Sequence, residues 1–155
     1  MHLLFNHITK LIKIILLSVF SVIFVSSSNA QLNVEDIIKS RQALFSKNYS
    51  TAKRVQSFSS KEDFEGAKKL MIEMSENYKV LIDLFPENTE DKFDTEALPT
   101  VWEEKDAFNA LMQKSSDDMI KLVAVIEDSD EIRSTLKKFM WSNCKACHTK
   151  YREPH

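Results

Sequence analysis

The sequence predicts an all-α protein folded as an antiparallel four-helix bundle. The 155-residue chain contains one glycine and three prolines, too few turn residues for a fold of many short strands. Apolar residues recur three and four positions apart along four stretches, as on one face of an amphipathic helix. Because most joins between these stretches are short, neighbouring helices are expected to run antiparallel.

Each predicted helix carries its own apolar stripe, and five of the stripe residues are methionines, which fill irregular gaps in a core. The stripes are Ile37, Ile38, Leu44, Phe45, Ala52 and Val55 in the first helix, Phe64, Ala67, Met71, Met74, Tyr78, Leu81 and Phe85 in the second, Val101, Phe108, Met112, Met119, Leu122 and Ile126 in the third, and Ile132, Leu136, Phe139, Met140, Cys147 and Tyr151 in the fourth.

Polar segments that contain helix-capping residues separate the apolar stripes. Ser59 and Ser60, with an acidic pair three residues later, predict a capping box at the start of the second helix. Thr100 and Glu103 predict a second box at the start of the third. The long polar stretch 86–99 joins helices two and three.

Residues 1–30 are predicted to be a cleaved signal peptide. Lys10 and Lys13 give a positive start, residues 11–25 are almost wholly apolar, and the small-residue cleavage site ends at Ala30. The apolar run is short for a membrane span, which needs about 20 residues, so a retained anchor is the weaker alternative. Cleavage leaves residues 31–155 as one domain in the periplasm, without a membrane segment.

The charge balance excludes one class of partner. The formal net charge is −2 at pH 7, and removing the two lysines of the signal peptide makes the remaining domain more acidic. A nucleic-acid-binding domain would show a basic excess on one face. We therefore expect no nucleic-acid partner.

The strongest motif is Cys144-Lys145-Ala146-Cys147-His148, close to the C-terminus. Residues three apart lie on the same face of a helix, so both thiols can meet one porphyrin edge and add across its vinyl groups. His148 can then coordinate the iron. A C-x-x-C-H run is a haem attachment signal, and it predicts one covalently bound haem c.

Three other readings of the cysteine pair are weaker. A thioredoxin-like redox pair belongs at a helix N-terminus in a βαβ context. A structural zinc site needs four ligands, and the only histidine besides His148 outside the signal peptide is His155. A disulfide between residues three apart would close a tiny loop and stabilise little.

Arg41 lies on the apolar stripe of the first helix, between Ile37 and Phe45. The aliphatic part of its side chain can cover the core while its guanidinium group reaches water. Alternatively, its forked donors can bind a haem propionate, with Gln42 hydrogen-bonding the same carboxylate.

The chain resembles the class II cytochromes c, specifically cytochrome c'. The resemblance covers residues 31–155 in order, although Trp141 stands where family members commonly have glycine. It rests on Ile38-Lys39-Ser40-Arg41-Gln42, Leu84-Phe85-Pro86, Ala97-Leu98-Pro99-Thr100-Val101-Trp102 and Cys144-Lys145-Ala146-Cys147-His148-x-x-Tyr151-Arg152.

The resemblance implies a left-handed, up-down-up-down bundle, often a homodimer, in the bacterial periplasm. It also implies a haem site in which two thioethers, one iron ligand and several contacts have assigned positions. These are Cys144 and Cys147 for the thioethers, His148 for the proximal ligand, and Arg41, Gln42, Thr95, Glu96 and Arg152 for haem contacts.

Phe45 determines the expected subtype. The resemblance implies that a methionine four residues after Arg41 would be the sixth iron ligand, and here that residue is Phe45. A five-coordinate, high-spin haem is therefore expected. Phe45 offers no hydrogen-bond donor, which should disfavour dioxygen but admit nitric oxide and carbon monoxide.

Two functions follow. The first is a protein that binds small diatomic gases, sequestering or carrying nitric oxide. The second is an electron carrier with a six-coordinate haem and a periplasmic redox partner. Phe45 favours the first. We do not expect an enzyme, because the motif-bearing segments lack the distal histidine–arginine pair of a peroxidase.

Overall fold

A computed structural model describes residues 32–90 and 92–154 of the chain. The predicted signal peptide, residues 1–30, lies outside the described residues. By its contacts the chain divides into Met1–Val34, of which only the last residues are described, and Glu35–His155, which holds the bundle. No helix within the described ranges is long and apolar enough to cross a membrane.

Helices account for almost all the regular structure, and they confirm the predicted all-α, antiparallel four-helix bundle. A 3₁₀ turn, Glu87–Thr89, follows the second helix, and a π-helical turn, Lys137–Trp141, interrupts the last one. The α-helices are α1 (Leu32–Ser59), α2 (Phe64–Ile82), α3 (Thr100–Glu103), α4 (Lys105–Val125), α5 (Ile132–Leu136) and α6 (Ser142–Tyr151).

The core contains the stripes that the periodicity predicts. The five stripe methionines each expose at most 1% of their surface, and Ala52 and Val55 of α1 are fully buried. A hydrogen bond of 2.8 Å between the hydroxyls of Ser75 and Ser116 satisfies two buried polar groups between α2 and α4. The core of the bundle is therefore mainly apolar, and the buried hydroxyls within it are hydrogen-bonded across helices.

The predicted cap of the second helix is wrong in position. Helix α1 continues to Ser59, and the hydroxyl of Ser60 donates to the Gln56 carbonyl of that helix. The cap of α2 is Asp63, whose carboxylate accepts a 2.9 Å hydrogen bond from the Gly66 amide. A Cβ at Gly66 would lie 2.8 Å from Asp63 Oδ2, so glycine allows this close approach.

The predicted capping box at Thr100 is also wrong. Pro99 precedes α3 without a side-chain cap. The Thr100 hydroxyl instead donates to the Lys150 carbonyl at 2.9 Å, which ties α3 to the end of α6. A tertiary partner has replaced the local one that the sequence pattern suggested.

Asp63→Ala should lower the free energy of unfolding by about 1 kcal/mol, because the α2 amide loses its acceptor. Ser60→Ala is the control, since the Ser60 hydroxyl caps no helix N-terminus. Urea unfolding followed by circular dichroism measures both. An equal or larger loss for Ser60→Ala would contradict this assignment of the cap.

Candidate functional site

One cavity of about 890 Å³ lies in the bundle, within the range of about 300–1,000 Å³ usual for cofactor pockets. The structure brings all nine sequence-predicted site residues to its wall. They are Arg41, Gln42 and Phe45 from α1, Thr95 and Glu96 from the α2–α3 connection, Cys144, Cys147 and His148 from α6, and Arg152 immediately after it.

Helix α6 carries the Cys-x-x-Cys-His motif along the cavity wall. Cys144 and Cys147 are half-buried and not bonded to each other, so the disulfide reading is wrong. Tyr78 of α2 lines the same cavity wall as Cys144. The described part of the chain contains no group of three or more His, Cys, Asp or Glu side chains that could hold a metal ion, and His155 lies outside the described residues.

The thiols do not have the electrostatics of a redox pair. Burial raises the pKa of Cys144, and burial together with the nearby Cys144 raises the pKa of Cys147 to about 12. Reactive cysteine pairs have a lowered thiol pKa, since the thiolate is the nucleophile. The environment therefore disfavours the thioredoxin-like reading.

A buried polar network fixes the start of α6 against α4. Asn143, which precedes the first cysteine, donates to Asp118 Oδ2 at 2.9 Å and accepts from Lys114 at 3.0 Å. Lys114 and Lys121 both pair with the same carboxylate. Burial raises the pKa of Asp118, but hydrogen bonds from Lys114, Asn143 and Lys121 outweigh it and hold the pKa below its usual value.

This network should make stability depend on pH in a defined direction. The pKa of Asp118 is lower in the folded than in the unfolded protein, where an aspartate has a pKa of about 3.9. The resulting stability is fully present above that value and is lost as the pH falls through the folded pKa. The free energy of unfolding of Asp118→Asn should therefore fall less steeply below pH 5.

Urea unfolding of holoprotein at pH values from 7 to 3 measures this slope. Asp117→Asn is the matched control, because Asp117 is an exposed carboxylate on the same helix. Equal slopes for wild type and Asp118→Asn would show that the network contributes nothing to the pH dependence.

Arg41 is buried, with only 2% of its surface exposed, so the reading in which its head reaches water is wrong. Its guanidinium donates to the Leu84 carbonyl at 3.2 Å, to Thr89 Oγ1 at 2.9 Å and to Thr95 Oγ1 at 2.7 Å. It also lies 4.5 Å from the centre of the Phe85 ring. Burial lowers the pKa of Arg41 to about 10, which keeps the group charged at neutral pH.

The connection that Arg41 holds also meets the end of α6. Arg152 donates to Glu96 Oε2 from its Nε at 2.8 Å and from its Nη2 at 2.5 Å. Ala97 and Arg152 form an isolated antiparallel bridge, and the Leu98 amide donates to the Tyr151 carbonyl. Gln42 reaches the same connection through a 3.5 Å contact with the Asp94 carbonyl.

Phe45 is half-buried on the cavity wall and packs edge-on against Phe85, with 6.3 Å between ring centres. Of the five stripe methionines, only Met112 also lines the cavity. Sequence reasoning identified Phe45 because it occupies a family position. It left Met112 among the core fillers.

Several lining residues were missed as site residues. They include Asn48, Tyr78, Ser115 and Asn143. Asn48 could have been found, because it lies three residues after Phe45 on the same helical face and is polar where the stripe is apolar. The roles of Tyr78 and Asn143 depend on partners distant in sequence, which no local pattern reveals.

The residues of the cavity fit a covalently attached haem. Two thiols three residues apart and an adjacent imidazole line the same cavity, where a porphyrin edge and its iron could meet them. Arg41 and Arg152 are cationic side chains at the wall, and their charge suits a cofactor that carries two anionic propionates. The buried side-chain amide of Asn48 also lines this cavity, and its NH₂ group has no hydrogen-bond partner among the described residues.

The family model for cytochrome c' matches residues 36–152. The chain belongs to the cytochrome c' family. Haem c, covalently attached, is the cofactor of this family, which confirms the cofactor predicted from the sequence. The assignment of individual residues to haem attachment and contact stays a prediction.

Similar proteins include several members of the same family. A cytochrome c' from Rhodopseudomonas palustris is 27% identical over 120 residues, covering 76% of this chain and 82% of the relative. The solved structure of cytochrome c' from Rhodopseudomonas palustris has a TM-score of 0.66 at 28% identity, over 77% of this chain and 97% of its own.

A nitric oxide complex of a cytochrome c' variant from Alcaligenes xylosoxidans has a TM-score of 0.66 at 24% identity, covering 78% of this chain and 97% of its own. The shared architecture confirms the predicted left-handed, up-down-up-down bundle.

Proposed function

We propose that this cytochrome c' is a gas-binding haem protein, and that it sequesters or carries nitric oxide. The observation that carries the proposal is Phe45, a side chain that cannot coordinate iron, on the wall of the cavity that His148 also lines. With His148 as one axial ligand, the haem would be five-coordinate and high-spin. The bound haem supplies an iron that binds small diatomic molecules.

The other residues of the chain attach and orient the haem. Cys144 and Cys147 form the thioethers, since they are the only cysteines in the chain. Arg41 and Arg152 compensate the charge of the propionates at the cavity wall, while Gln42, Thr95 and Glu96 complete the contacts near the haem edge. Phe45, Met112 and Trp141 add apolar surface to the wall against which the porphyrin could pack.

Nitric oxide is proposed as the ligand because a variant of the structurally similar cytochrome c' from Alcaligenes xylosoxidans forms a nitric oxide complex. Binding, rather than catalysis, is the role that the wall supports. Phe45, the side chain proposed to lie beside the open iron position, offers no general acid or base.

An electron carrier with a six-coordinate haem is the second candidate, with a periplasmic redox partner. Met112 is the observation that favours it, because this buried thioether lines the cavity. Methionine sulfur is a common sixth ligand in cytochromes c. The two candidates therefore predict different absorption spectra.

The purified holoprotein should show a high-spin, five-coordinate spectrum that changes when nitric oxide is added. Phe45→Met should shift it towards a low-spin, six-coordinate haem with a methionine–iron charge-transfer band. Met112→Leu is the matched comparison and should stay high-spin. A low-spin wild type that becomes high-spin in Met112→Leu would support the electron carrier instead.

Cys144→Ala combined with Cys147→Ala should abolish covalent haem, because no other thiol is available to the vinyl groups. Mass spectrometry of the denatured polypeptide measures the attached haem. Each single variant is the control and should retain one thioether. Haem mass on the double variant would contradict the proposed attachment.

The proposal also covers the setting of the protein. We infer that residues 1–30 direct export and are removed, which leaves residues 31–155 as a periplasmic domain. A homodimer fits the exposed apolar side chains Tyr49 on α1 and Ile72 and Val80 on α2. Sedimentation of the mature holoprotein tests the dimer, and its N-terminal sequence tests the cleavage.

A further inference from the structure

Asn48 is a polar side chain in an unusual place. It is 97% buried on α1, three residues after Phe45 and seven after Arg41, and it lines the same cavity. These spacings place the three residues on one face of the helix. An amide at this position is costly to bury unless its hydrogen bonds are made.

The amide of Asn48 is only half satisfied. Its Oδ1 accepts a 2.8 Å hydrogen bond from Asn77 Nδ2, on α2. Its Nδ2 is buried and has no hydrogen-bond partner among the described residues. An asparagine carries two N–H donors on this nitrogen, so its donor capacity is unused.

Asn77 contacts the oxygen end of the Asn48 amide, which leaves the NH₂ end over. It is itself buried and does not line the cavity. By donating to Oδ1, it favours the orientation in which the NH₂ group of Asn48 is the unsatisfied end. Asn77 is thus a positioning residue, and the donor belongs to Asn48.

We propose that Asn48 Nδ2 donates a hydrogen bond to the small diatomic ligand held in the cavity beside Phe45, and that Asn77 orients it. This inference rests on the proposed function, and it specifies the ligands as diatomic molecules that can accept a hydrogen bond. A distal donor favours diatomics that become polar on binding, such as dioxygen and nitric oxide. It replaces the expectation, drawn from Phe45 alone, that the pocket lacks a donor.

Carbon monoxide bound to the dithionite-reduced holoprotein is the probe, because its infrared stretching frequency reports a nearby donor directly. Asn48→Leu and Asn48→Ala should both raise this frequency. Both should speed carbon monoxide dissociation by about twofold to tenfold, as expected for losing one neutral hydrogen bond. Both variants lack the donor but differ in side-chain size, so Asn48→Ala still tests the donor if Asn48→Leu does not fold.

Two further variants separate the donor from general disturbance. Asn77→Leu should raise the frequency less than Asn48→Leu, because the amide keeps its donor but loses its orientation. Asn109→Leu is the control, since Asn109 also has a buried atom without a partner but does not line the cavity. Its carbon monoxide complex should match wild type.

The carbon monoxide measurements distinguish the proposed function from the proposed role of Asn48. If reduced wild-type protein binds no carbon monoxide, the proposed function and this inference both fall. If it binds carbon monoxide and both Asn48 variants keep the wild-type frequency, the inference alone is overturned. Shifts of opposite sign in Asn48→Leu and Asn48→Ala would indicate side-chain size and overturn it too.

Discussion

The buried guanidinium of Arg41 is the interaction on which the site depends. A charge inside a bundle is stable only when it is paired or hydrogen-bonded. Here its donors go to Leu84, Thr89 and Thr95 in the connection between α2 and α3. That connection then pairs with Arg152 beyond the last helix. One cation on α1 therefore joins three parts of the chain and holds the rim of the cavity.

Helix α6, which carries the Cys-x-x-Cys-His motif, is held by a second set of hydrogen bonds. Asn143 and Asp118 hold its first turn against α4 through buried hydrogen bonds. Cofactor attachment needs thiols and imidazole at fixed positions, and a helix locked at its start supplies them. The two sets of hydrogen bonds share no residue, since one joins α1 to the α2–α3 connection and the other joins α6 to α4. Together they preorganise the wall for a rigid, planar cofactor.

The sequence predicts what periodicity and local motifs encode. The apolar stripes gave the four helices and their core, and the C-x-x-C-H run gave the cofactor. The predictions of the two helix caps were wrong for different reasons. Ser59 still belongs to α1, and the Thr100 hydroxyl donates to the Lys150 carbonyl instead of capping its own helix. The hydrogen bonds of Arg41 and the Asn48–Asn77 pair were hidden for a related reason. Each joins residues 29 or more positions apart, and spacing within one helix carries no information about the partner.

The π-helical turn at Lys137–Trp141 has a consequence for how this chain can vary. A turn closed by i→i+5 hydrogen bonds holds one more residue than an α-helical turn, so it resets the angular phase of everything after it. Deleting one residue there would restore regular winding, yet it would swing the thiols of Cys144 and Cys147 around the helix axis. The number of residues in this turn is thus more tightly constrained than their identity. A chain of this lineage can exchange side chains between 137 and 141 more freely than it can gain or lose a position.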